Sequence, residues 1–100
     1  EINEFEYAGL TPIPSLLVNA PRVKESPIHF ECELVHHYSL QGHKHGGATV
    51  IIGKIVMFHM DENVMLDDYK INQEMYRPVA RLAGSNYAKI GEIFSIKRPI

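Results

Sequence analysis

From Ile28 onward the chain switches to a period of two, and that switch restricts the fold more than any other feature. Ile28, Phe30, Cys32, Leu34, His36 and Tyr38 alternate with His29, Glu31, Glu33 and His37, the pattern of a half-buried strand broken at Val35. The glycine-rich stretch 41–47 follows, as a hairpin connection requires. The second strand, Ala48 to Met60, carries Val50, Ile52, Val56 and Phe58 on one face and Ile51, Ile55 and Met57 on the other. A strand apolar on both faces must be covered on both. Gly53-Lys54 interrupts it, and a bulge or bend is expected there.

The flanking segments are shorter. Ile2, Phe5 and Tyr7 or Ala8 lie at helical spacing before Gly9, a natural C-cap, with no evident N-cap in front. The expectation is the end of a longer helix, in a chain that is part of a larger domain. Pro12, Pro14, Pro21 and Pro27 then forbid helix and central strand, so residues 11–27 read as an extended connector whose Leu16, Leu17 and Val18 need cover. After the hairpin, Asp61 to Asp68 is a polar turn with an apolar insert at Val64-Met65-Leu66. Asn72 to Arg77 suits one helical turn capped by Asn72 and ended by Pro78. Tyr87 to Lys97 returns to strand character, with Phe94 and Ile96 on one side. Three such strands make an incomplete antiparallel sheet. Its open edges call for further strands, from upstream sequence or another chain.

Composition narrows the partners. With 45% hydrophobic and 22% charged residues the chain has the balance of a folded domain. A net charge of -2 gives no general attraction to nucleic acid or an anionic membrane, and no apolar run is long enough for a membrane helix. A single Cys32 excludes an internal disulfide framework and suits a reducing cytoplasm.

The stretch from Met75 to Ile90 carries the strongest ligand signal. Arg81 offers a rigid guanidinium fork, Gly84 permits close backbone approach, Ser85 and Asn86 add polar groups, and Tyr87 supplies an aromatic face. Together they can hold a phosphate and a flat ring; alternatively they form an ordinary exposed turn. Arg77 reads as an ion-pair partner for an acidic neighbour.

The order of segments resembles the flavin reductase-like family of FMN-binding split barrels, of which this chain would be the C-terminal half. The resemblance rests on Glu4-Phe5 with 8–12 (Ala-Gly-Leu-Thr-Pro), on 21–27 (Pro-Arg-Val-Lys-Glu-Ser-Pro) leading into 30–34, on 47–56 with Phe58-His59, and on 77–87. It implies a mainly β fold, a partial antiparallel Greek-key split barrel with short helices, in which 1–27 are helix end and connector and 28–100 barrel strands. It further implies a homodimer that holds FMN non-covalently near the interface and transfers electrons from NAD(P)H to flavin or an acceptor. The flavin site would include Arg81, Gly84, Ser85, Asn86 and Tyr87. Two departures stand out: the family's main phosphate motifs belong to the N-terminal half, and Ala83 occupies a position where relatives often carry glycine.

Other residues have competing readings. His59, at a strand end, is a candidate catalytic group that orients nicotinamide or donates to a flavin oxygen, or else a structural hydrogen-bonding histidine. His36, His37, His43 and His45 raise a metal-binding alternative, opposed by the opposite projection of His36 and His37 and by the absence of a completing carboxylate or cysteine. Cys32, between Phe30 and Leu34, reads as a small core residue, and Phe5 as helix-to-barrel packing or a cofactor neighbour. A binding or assembly module of the same fold, without turnover, is the alternative to an enzyme.

Overall fold

The computed structural model describes residues 2–43 and 46–100, without the side chains of 42 and 43. Two compact units are present, Glu1–Asp61 and Glu62–Ile100.

In the first unit, helix α1 (Glu4–Ala8) starts at Asn3, whose side chain accepts from the N–H groups of Phe5 and Glu6 at 3.0 and 3.4 Å. It ends at Gly9, with φ 69°, so that the N–H groups of Gly9 and Leu10 return to the carbonyls of Glu6 and Phe5. The expected uncapped helix is therefore corrected: it is a single capped turn, and apolar spacing says nothing of a polar cap. The proline-rich connector folds back on itself. Strand β1 (Pro12–Ile13) pairs antiparallel with β2 (Arg22–Val23), and Ser15 closes the loop between them by donating to the Ala20 carbonyl at 2.5 Å.

Strands β3 (Ile28–His43) and β4 (Gly46–Met60) form the long hairpin. It has three register slips, one of them between Leu40 and His43 near the tip and two in its body. Leu34 opposes Gly53 and His36 opposes Ile52, which leaves Val35 as an extra residue; Glu31 opposes Met57 and Cys32 opposes Ile55, which leaves Val56 extra. The break in alternation at Val35 is thus a bulge. The bulge on β4 lies at Val56, while Gly53 has a different reason: a Cβ there would stand 3.2 Å from the Cys32 Cβ. Near the first bulge the His36 and His37 rings lie 6.4 Å apart and nearly parallel, rather than on opposite faces.

Burial departs from the expected faces at Glu31 and Cys32, while Glu33 and His37 are exposed as expected. Glu31, assigned to solvent, is 2% exposed, whereas Cys32, assigned to the core, is exposed. Phe30 and Phe58 meet edge to face across the hairpin, with centroids 5.2 Å apart, yet are 55% and 56% exposed. Leu34, Tyr38, Val50 and Ile52 are also exposed. The alternation identifies which residues share a face; what covers that face is decided elsewhere.

In the second unit, 3-10 turns at Glu62–Val64 and Asp67–Tyr69 enclose Val64, the one buried apolar side chain among the described residues. The N–H of Leu66 donates to Lys70 at 2.6 Å and that of Asn72 to Val64 at 2.7 Å. Helix α2 (Gln73–Tyr76) is capped by Asn72 and ends at Arg77, left-handed at φ 47°, just before Pro78. Arg77 pairs with the exposed Glu74 at 3.2 Å, as expected. Strand β5 (Ala80–Arg81) pairs antiparallel with β6 (Tyr87–Ala88). The predicted strand from Tyr87 to Lys97 ends at Ala88, and Phe94 and Ile96 are exposed. Among the described residues no strand lies beside 89–97 to complete a ladder, and an unpaired extended segment is not a strand.

Candidate functional site

Prolines deny the connector a regular ladder, so its N–H groups need other acceptors. Glu31 supplies one. Its carboxylate accepts from Leu16 N–H at 3.0 and 3.1 Å and from Leu17 N–H at 2.6 Å, and it is bonded to Nε2 of His59 on β4. Burial pushes the Glu31 carboxyl upward, but the two amide donors and the His59 imidazole outweigh it and hold the group down at about 2. The strand-end histidine therefore has a carboxylate partner rather than a backbone one, and Nδ1 is its remaining polar atom.

Beside this clamp lies a cavity of about 320 Å³, lined by residues of the connector and β3 that include Ser15, Val18, Arg22, Ser26, His29 and Phe30. The Arg22 guanidinium donates to the Pro14 carbonyl through Nε at 3.2 Å and Nη2 at 3.0 Å, and its Nη1 lies 3.3 Å from His29 Nδ1. Arginine can only donate, so Nδ1 accepts and the ring proton resides on Nε2. That Nε2 is buried without a hydrogen-bond partner among the described residues. An unmet buried donor costs about 1–3 kcal/mol.

In the second unit, Arg81 and Tyr87 are cross-strand partners. The turn between them is closed by Leu82 N–H to Asn86 at 2.8 Å and Asn86 N–H to Ala83 at 3.2 Å. Gly84 adopts φ 63°, and Arg81 donates to its carbonyl at 3.1 Å. Ala83 lies outside the left-handed region, so alanine is accommodated there without strain. Arg81, Gly84, Ser85, Asn86 and Tyr87 are all exposed, with open space where a Gly84 Cβ would lie. One small hairpin thus holds all five residues predicted from sequence. Among the described residues no group of three metal-ligating side chains occurs; the His43 side chain and His45 lie outside them.

A model of the flavin reductase like domain matches residues 1–80. The chain belongs to the flavin reductase-like domain family. Its hairpin-centred fold is similar to nitrilotriacetate monooxygenase component B from Bacillus cereus, with TM-score 0.82 and 41% identity over 93% of the chain. It is similar also to flavoredoxin of Desulfovibrio vulgaris (Miyazaki F), at TM-score 0.71 and 30% identity over 93%. A third likeness is to a candidate flavin reductase with split barrel domain from Shewanella frigidimarina, at 0.75 and 29% over 97%. The flavin reductase-like chain spans 46–48% of each of those structures, and about half the length of the curated relatives it matches. No helix among the described residues is long and apolar enough to cross a membrane.

Sequence reasoning picks out a turn at 84–86 but not the strand pair that carries it, and misses Glu31, Arg22 and His29. The available signal was the run of prolines: a connector with stranded N–H groups needs acceptors, and Glu31 is the carboxylate opposite.

Proposed function

We propose that this chain is the C-terminal half of a dimeric FMN-binding split barrel, which in the complete protein transfers electrons from NAD(P)H to flavin or onward to an acceptor. The likeness to nitrilotriacetate monooxygenase component B carries this reading, because it extends over 93% of the chain but only 46% of that structure. The exposed Phe30, Phe58, Leu34 and Ile52 suit the same conclusion: they need cover that a remaining half-barrel and a second subunit would supply.

The residues of the β5–β6 hairpin fit a flavin. Arg81 spends one donor on the Gly84 carbonyl and keeps others for a phosphate or ring oxygen, and the bare Gly84 lets a ligand approach the backbone. Tyr87, 61% exposed, offers a ring face or a hydroxyl. When bound, FMN would supply the two-electron chemistry. The chain's own part is to bind and orient it and to exclude water. His59, fixed through Nε2 by Glu31, keeps Nδ1 for a ligand.

Purification of the full-length protein with its upstream half tests the reading. Co-purifying flavin absorbance and NAD(P)H oxidation are expected. Flavin without NAD(P)H oxidation would reduce the protein to a passive carrier, and absence of flavin binding would favour an assembly module.

A further inference from the structure

We propose that the charge-free loop of the connector, which carries Leu16 and Leu17, is where a second copy of this chain docks, loop against loop across a two-fold axis. The loop is held from beneath while its largest side chains face outward. The N–H groups of Leu16 and Leu17 lie on the buried Glu31 carboxylate at 2.6–3.1 Å, yet the two residues are 68% and 57% exposed, so that exposure belongs mainly to the side chains. Ser15 closes the loop on the Ala20 carbonyl, and Arg22 fastens it again at the Pro14 carbonyl. Pro12, Pro14 and Pro21 stiffen it further. Two leucines on a backbone already fixed lose little further freedom on association, which is what a preorganised anchor requires.

Charge and position point to a second copy as the occupant. Residues 10–21 contain no Asp, Glu, Lys, Arg or His, in a chain of which 22% is charged. An isologous contact sets a patch against itself, so any charge in it meets its like, and an uncharged apolar patch is the composition such a contact accepts. Position argues against the alternative cover. The half-barrel proposed above to lie on Phe30 and Phe58 meets the side of the hairpin opposite Glu31, because successive strand residues project to opposite faces. The loop lies on the Glu31 side, so that half-barrel leaves it uncovered. The same loop on a second copy supplies an identical apolar surface. This inference rests on the reading of a dimeric split barrel and names the segment through which its subunits meet.

The test is sedimentation velocity of the full-length protein, with flavin absorbance recorded in the same runs. A concentration-dependent dimer is expected for the parent. Leu16→Glu with Leu17→Glu, and separately Leu16→Lys with Leu17→Lys, should each raise the dissociation constant roughly a hundredfold or more, the effect of burying like charges without partners. Both leucines are exposed, so neither double variant empties a core. An equal mixture of the two variants should recover the dimer as a heterodimer, which only folded chains can do and which a loop facing itself requires. A monomeric parent would overturn the proposal, as would variants that dimerise like the parent, or mixing without recovery. The parent's absorbance judges the flavoprotein reading separately. Fully dimeric variants beside a yellow parent would sink the docking surface alone, whereas recovery on mixing with a colourless parent would uphold the surface and sink the flavin.

Discussion

Glu31 on β3 and His59 on β4 share a hydrogen bond across the hairpin, and the same carboxylate gathers the N–H groups of Leu16 and Leu17. One buried side chain thereby ties the connector to both strands. The wall of the Arg22–His29 cavity depends on that tie, because Ser15 and Val18 flank the two anchored residues.

This tie has a pH signature. Glu31 sits at about 2 instead of its ordinary 4.5. An acid lowered in the folded state contributes stability that is complete above the ordinary value and disappears as pH falls from there through about 2. Denaturant midpoints of the full-length protein should therefore drop between pH 4.5 and 2 more steeply for the parent than for Glu31→Gln. Parallel curves would remove Glu31 from the account.

Gly53 is under steric control. A Cβ there would lie 3.2 Å from Cys32 Cβ, tighter than ordinary contact, with β3 backbone behind it. Gly53→Val should destabilise by about 1–3 kcal/mol, the usual effect of overpacking, as measured by urea unfolding.

Gly84 and Gly91 separate conformation from space. Neither has an atom within 4 Å of a built Cβ, but only Gly84 has a left-handed φ, of 63°. Gly84→Ala should destabilise by about 1–2 kcal/mol. Gly91→Ala should be neutral or stabilising by up to about 1 kcal/mol, through the unfolded state. Thermal midpoints of the two variants should move apart accordingly.

The flavin assignment is tested at the cross-strand pair. Arg81→Ala combined with Tyr87→Ala should weaken FMN retention while the circular dichroism spectrum stays that of the parent. Both side chains are exposed, so their loss empties no core. Undiminished flavin affinity would remove them from the site.

Cys32 tests the proposal that a further half-barrel covers this face. Exposed here beside Phe30 and Leu34, it should be protected in the full-length protein. Alkylation by iodoacetamide should then be slow until denaturant is added. Fast modification in the native protein would mean that the face stays open.

Much of the architecture was written in local pattern. The period of two predicted the hairpin, Asn72 and Pro78 bounded α2, and arginine, glycine and tyrosine located the β5–β6 turn, whereas the bulges fall at Val35 and Val56 rather than at the expected Gly53-Lys54. These features depend on neighbours in sequence, through backbone geometry and side-chain alternation.

What tertiary structure alone decided was the sense of burial. Alternation separates two faces without saying which one another segment will cover, and here the connector covers the Glu31 and His29 side while Phe30 and Cys32 are left bare. A carboxylate becomes buried because a proline-folded segment, fifteen residues away in sequence, brings two unmatched N–H groups to it. Likewise the segment after Ala88 has strand-forming residues and no ladder beside it, and hydrogen-bond partners come from the fold rather than from the segment itself.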